Sequence, residues 1–382
     1  MLLEIFNAFA FLGATAFGGP ASHIALMEIE FVERRKWLSL DRFREHMATA
    51  ALLPGPTSTE LALLIGQERG GFPGLLMAGC GFILPAFALV LAIAMLLGRQ
   101  SMTPAFESAM RGIQPVLIAI IVLSLVKLLQ SVFKHRFLYV CALAALVAGC
   151  LGQNILLILF GAGVLNLFCH RVVRRPKKFS ATLAAMLVAW RSSSMDCRAA
   201  EALSVAASSA PVGDWNLLLI FLKIGAVFYG GGYMLLAFLR EDFVLHLNVI
   251  SEHELMTAVS VGQFTPGPLF TAATFIGYRL NGLAGAVLAT VGIFAPAFLY
   301  AGASRFFVPS LRKSSAVTHL LDGVNAASCA LMALVTWHLQ RQALVDWKTD
   351  VIAAGAMLLL LRFKLNAAWL VLAGGVLGFA LL

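Results

Sequence analysis

The tripeptide Pro54-Gly55-Pro56, followed at once by Thr57, Ser58 and Thr59, is the stretch of this 382-residue chain best suited to chemistry. Two prolines remove two backbone donors, and the glycine between them is the poorest helix former after proline, so no helix runs through the triplet. A helix that restarts beyond it presents unpaired N–H groups and about half a positive charge. With three hydroxyls added, the restart suits a tetrahedral oxyanion. A second triplet, Pro266-Gly267-Pro268, precedes Leu269, Phe270 and Thr271, and Thr271 aligns with Thr59. Two further breaks, Gly18-Gly19-Pro20 and Gly230-Gly231-Gly232, let another pair of backbones approach the same axis. Four broken segments are thus expected to form one anion cage, as opposed to isolated kinks or close packing at small residues.

Charged side chains at membrane depth are costly and for that reason usually functional. Lys223 lies inside an apolar segment, where its counterpart in the first half is Phe11, and is a candidate to balance an oxyanion. Glu60 is the only charge between His46 and Gln67. A carboxylate beside an anion must take up a proton or repel it, so Glu60 is a candidate for coupling proton and substrate binding. His23 is a weaker proton-relay candidate. Gln67, Glu68 and Arg69 are candidate gating groups where the segment meets water, and Arg34 and Arg35 candidate recruiters at the mouth. Lys127 reads as a lysine snorkelling to the surface.

The elements that hold these residues belong in a bilayer. Sixty per cent of residues are hydrophobic, 12% are charged and the mean hydropathy is +0.89. Uncharged runs such as Leu75 to Gly98 and Gly282 to Ser304 are long enough to cross. A shift of 212 residues carries Gly13-Ala14-Thr15-Ala16-Phe17-Gly18-Gly19 onto Gly225-Ala226-Val227-Phe228-Tyr229-Gly230-Gly231, and without a gap the first Pro-Gly-Pro onto the second. The expected fold is therefore all-α: a polytopic membrane protein of two homologous repeats, residues 1–170 and 215–382, with broken or re-entrant helices and roughly 10 to 13 membrane segments. Residues 171–214, rich in Ser and Arg, read as a cytoplasmic basic linker.

The basic loop from Arg34 to Arg44 aligns with the acidic stretch from Arg240 to Glu254, which predicts that the copies face opposite sides. An odd number of crossings delivers that inversion. The count is five if Met47 to Gly66 and Val259 to Tyr278 re-enter as hairpins and the opening segment crosses. Met1-Leu2-Leu3-Glu4 lacks a basic start, so a cleaved signal is not expected.

At this point the residues carry a resemblance. The runs Phe17 to His23, Leu53 to Thr57, Gly66 to Gly70, Tyr229 to Tyr233 and Gln263 to Pro268 resemble those of the bacterial chromate ion transporter family in its long, two-domain form. The resemblance implies export of chromate from the cytoplasm across the inner membrane and chromate resistance. Sulfate is a close analogue, an ion gradient the drive, and Gln263 joins the substrate-binding candidates.

Other classes fit less well. The net charge of +9 sits in loops, as a topology signal does, and not in a nucleic-acid footprint. Six scattered cysteines have no metal-like spacing, no constellation suggests an enzyme, and nothing calls for a cofactor or metal. A sulfate or related oxyanion carrier and an anion channel remain as alternatives. Exposed Gly and Ala faces permit a homodimer within membrane lipid.

Overall fold

A computed structural model of the chain describes residues 1–17, 19–99, 104–133, 135–173, 212–229, 232–363 and 367–381. Among these residues there are 14 α-helices and no strand, and four helices are long and apolar enough to cross a membrane. Gly18, Gly230, Gly231, Lys134, Lys364 and most of the basic linker lie outside the described residues.

Helix α1, Leu2–Thr15, stops short of the glycine break. Gly19 has φ 82°, and α2, Pro20–Glu28, begins with proline at the position where its missing N–H costs nothing. A π-helical stretch, Ile29–Arg34, prolongs α2. The two helices form a hairpin: Phe9 packs on Phe31 with centroids 4.7 Å apart, and Arg35 reaches Glu4 at 4.0 Å. This corrects the expectation that the opening segment crosses, and with it the count of five crossings expected to deliver the inversion. At 1.5 Å per residue its 14 residues span about 21 Å, less than the hydrocarbon thickness, and the chain then turns back.

The first Pro-Gly-Pro forms the tip of a second hairpin. Helix α3, Leu40–Ala50, is capped by the Ser39 side chain, which accepts from the Arg42 amide, and leads to the triplet. Helix α4, Thr57–Arg99, leaves it. Its first half returns to the starting side, where Glu68 pairs with Arg42 at 2.9 Å and with His46. There Gly70 and Gly71 reverse the helix, and Gly71 at φ 63° adopts a conformation that costs other residues strain. The second half packs back on the first through Gly66 and Gly74, too close for side chains. It then runs on as a long span, followed by α5 (Pro104–Val132), α6 (Arg136–Cys150) and α7 (Ile155–Val173).

The second copy repeats this plan. Helix α8, Asp214–Val227, pairs with α9, Leu235–Leu239, and the π-helical Arg240–His246: Phe221 lies 5.1 Å from Phe243. Helix α10, Glu252–Phe264, starts on a Ser251/Glu254 capping box. The second triplet and a short turn lead into α11, Ala272–Lys313, broken at Asn281 and Gly282. The first part of α11 returns beside the start of α10, where Arg279 pairs with Glu254 at 2.7 Å. Helices α12 (Ser315–Ala343), α13 (Trp347–Phe363) and α14 (Ala367–Leu381) complete the chain.

The long second halves of α4 and α11 run antiparallel. Gly79 meets Phe298, Gly302 faces Phe72 and Leu75, and Gln67 Nε2 donates to the Gly302 carbonyl at 3.3 Å. Gly71 therefore sits at the Arg305 end of α11, whereas Gly282 sits at the far end beside α8, with Asn281 Nδ2 donating to Asp214 at 2.8 Å. Helix α7 likewise opposes the start of α12, through an Asn166 bond to the His319 carbonyl at 2.7 Å. Two apolar clusters form the core, and large apolar side chains such as Leu96, Phe160, Leu299 and Trp369 point outward, as lipid-facing residues do.

Candidate functional site

The four hairpin tips meet inside the molecule. The Gly267 amide donates to the Ala16 carbonyl at 2.9 Å, tying the second Pro-Gly-Pro to the end of α1. Gly267 has φ 95°, and a Cβ there would lie 2.7 Å from that of Ala86 and 3.1 Å from the Gly13 oxygen. Only glycine permits this approach.

Beside the tips lies a cavity of about 790 Å³. Its wall from the first repeat is polar: Pro20 to His23 from α2, then Pro56, Thr57 and Ser58 at the start of α4. The His23 ring joins these two elements. Its Nε2 lies 3.2 Å from the Ala16 carbonyl, which can only accept, so that nitrogen carries a proton. In the neutral ring Nδ1 then accepts from the Ser58 hydroxyl at 3.3 Å. Phe82 supports the ring edge-on at 5.4 Å. The Thr59 and Glu60 amides donate to the Pro56 carbonyl at 2.8 and 3.0 Å, which leaves the Thr57 and Ser58 amides, beside the Thr57 hydroxyl, as the donors where the helix is positive.

The opposite wall is α5, which presents Ser124, Lys127 and Ser131 one turn apart. Lys127 has no ion-pair or hydrogen-bond partner among the described residues and is the one Lys or Arg on the cavity wall. The reading of Lys127 as a snorkelling lysine missed this. The available signal was the spacing 124, 127, 131, a polar stripe on an otherwise apolar helix.

Other expected residues lie elsewhere. Lys223 pairs with Asp242 at 2.6 Å and does not line the cavity. Glu60 and Thr59 are buried behind the tip, and neither Glu60 oxygen nor the Thr59 hydroxyl has a partner. Gly55, at φ 143°, leaves room for that carboxyl, since a Cβ there would lie 2.6 Å from Glu60 Oε1. Gly55 and Thr57 also line a smaller adjoining chamber of about 370 Å³ with Tyr229, Asp322 and Asn325; Pro54 lines neither space. Gln263 is buried with its amide nitrogen unpartnered. In the second copy Pro268 lines the main cavity together with the apolar Leu269 and Phe270, while Thr271 bonds back to the Pro268 carbonyl at 2.9 Å. Pro266 and Gly267 do not line the cavity, and Gly267 makes the tip contact to α1.

Gln67 and Glu68 line a separate recess with Arg42 and Arg305, and Arg69 stacks over Trp37 at 5.3 Å. Arg34 and Arg35 both pair with Glu30, at 3.3 and 2.5 Å, so neither is a free cation at a mouth. No group of three or more His, Cys, Asp or Glu among the described residues could hold a metal.

Broken helices meeting tip to tip around a hydroxyl-lined cavity, inside an all-helical shell with an apolar exterior, define a multi-pass membrane protein of the transporter class. Comparison with known proteins agrees. The family model described as chromate transporter matches residues 3–167 and again residues 215–379, and the chain belongs to that family. A chromate transport protein of Cupriavidus metallidurans is 29% identical over 98% of this chain and 92% of its own length. One of Pseudomonas aeruginosa is 30% identical over 98% and 91%. An uncharacterized transporter of Methanocaldococcus jannaschii is 24% identical over 100% and 94%. No solved structure matches the chain.

Proposed function

We propose that the protein is a secondary transporter that exports chromate from the cytoplasm across the bacterial inner membrane and so confers chromate resistance. The observation that carries this reading is the cavity itself. The Thr57 hydroxyl and the start of α4 from the first repeat face a single unpaired lysine from α5, converging donors and one positive charge suited to a tetrahedral dianion. The two relatives named chromate transport protein support the choice of oxyanion.

In this reading the repeats are inverted across the bilayer. The side bearing Arg34, Arg35, Arg42 and Arg305 is cytoplasmic, by the excess of basic residues there. Substrate binds between Thr57, the start of α4 and Lys127. Glu60 and His23 are the proton-coupling candidates, and Gln67 and Glu68 tie the first repeat to α11. Efflux needs little drive. One charge crossing 100 mV is worth about 2.3 kcal/mol, so a dianion leaving an inside-negative cell at roughly 150 mV gains about 7 kcal/mol. Exchange against sulfate or protons is compatible with the same site.

The test is chromate flux in proteoliposomes under an imposed potential, with and without a pH gradient, with sulfate as competitor and a Pro54→Ala/Pro266→Ala variant as control. Flux driven by potential alone is the expected result. Flux that needs a proton or sulfate gradient assigns coupled exchange, and no flux under any condition overturns the chromate assignment.

A further inference from the structure

The two copies present the same helix faces in opposite states. In the first, α2 and α5 stand apart across the cavity, with Ala25 exposed and Ser124 and Leu128 half-buried. The repeat shift is 212 residues before the Pro-Gly-Pro and 211 beyond it, as Gly71 falling on Gly282 and Gly112 on Gly323 show, and it turns these into Ala237, Val335 and Leu339, which are 2%, 8% and 0% exposed. There α9 packs directly on α12, and every side chain from Leu235 to Leu239 is buried. What is an open groove in one copy is a closed seam in the other.

The seam is not closed along its whole length. At its outer end a vestibule of about 350 Å³ remains, lined by Gly149, Ala237, Arg240, Glu241, Leu331 and His338. Its inner end stops at the packed face of α9, short of the tips. The outer end lies on the side opposite Arg42, because α9 leads into Arg240, whose partner Glu252 starts α10 beside Arg279.

We infer that this seam between α9 and α12 is the exit route for the oxyanion, and that transport proceeds by exchange of the two conformations between copies: α2 closes on α5 while α9 parts from α12. The inference rests on the proposed function for the identity of the cargo, but the conformational exchange itself does not. Both copies are built to the same plan, so each groove can adopt the arrangement the other shows, and only one need be open at a time. The cavity at the tips then faces the basic side in one state and the vestibule in the other. His338 and the Arg240–Glu252 pair become the last polar groups the anion meets.

Hydrogen exchange on the full chain in lipid nanodiscs tests this, because it needs no transported substrate. Ser124→Val/Lys127→His copies the second repeat's Val335 and His338 into the first and lets α2 close on α5. It is expected to speed exchange about tenfold at residues 332–343 and to slow it at 120–131. Ala237→Trp, a wedge in the seam, is expected to speed exchange at 332–343 in the same way, whereas Ala25→Trp, on the exposed counterpart, leaves that segment unchanged. If residues 332–343 stay as protected in both seam variants as in wild type, the exit route is not there. Wild-type proteoliposomes that move no chromate, alongside seam variants that do shift exchange, would overturn the cargo and leave the route standing.

Discussion

Lys127 and Lys223 show how differently two lysines on apolar helices can be used. Lys223 Nζ is 2.6 Å from Asp242, an acid whose side chain is 11% exposed. Removing the lysine leaves a carboxylate in an apolar setting. Lys223→Met is therefore expected to lower thermal stability in detergent while leaving the chromate KM of surviving protein unchanged. Lys127 has no such partner, and a charge-assisted contact to a dianion is worth about 1.5–3 kcal/mol. Lys127→Gln is expected to raise KM about tenfold or more with wild-type stability, and Lys127→Arg to restore part of the affinity; flux titrations against melting curves separate the two lysines. The His23 ring spans Ala16 and Ser58, so His23→Ala frees the Ser58 hydroxyl and removes a buried donor, a loss of about 1–3 kcal/mol, measurable by unfolding. Only the stripe of Ser124, Lys127 and Ser131 hinted at this ranking in the sequence. A lone lysine in an apolar run looks the same whether its neighbour in space is a carboxylate or a cavity, and Asp242 is 19 residues from Lys223.

At the scale of the hairpins, the breaks were legible and their consequences only in part. Proline and glycine remove backbone donors and admit unusual angles wherever they stand, so the interruption of a helix at Pro54-Gly55-Pro56 follows from local chemistry alone. That the opening segment turns back does not, because it depends on Phe31 and Arg35 meeting Phe9 and Glu4. The two triplets also differ in what a side chain would strike. At Gly55 a Cβ meets the end of the Glu60 side chain, which can move. At Gly267 it meets Ala86 and the Gly13 backbone oxygen, which cannot. Gly267→Ala is expected to reduce the yield of folded protein sharply, whereas Gly55→Ala inserts and purifies but loses flux. Size-exclusion profiles read beside transport assays distinguish these outcomes, and equal behaviour of the pair would contradict the tip geometry.

For the molecule as a whole, the 212-residue repeat announced the duplication, and the antiparallel pairing of α4 with α11 gives it a spatial form. Cysteines placed at Arg42 and His253 are expected to label from opposite sides of the membrane, as are Cys169 near the end of α7 and a cysteine at Asp214; same-side labelling of either pair would contradict that form. What no alignment of one half on the other could reveal is that the halves are caught in unlike states, since that difference is conformational and not encoded at any one position. One of its chemical marks nevertheless bears on kinetics. The lysine of the first groove, Lys127, has His338 of the vestibule as its counterpart along the second. A carrier with a standing cation along one path and a weaker base along the other cannot thereby pump, since microscopic reversibility fixes the final ratio of concentrations by the driving gradients alone. In the proposed reading it acts as a kinetic rectifier: it saturates at lower anion concentration on the basic side than on the other, so chromate already exported would slow its own removal little.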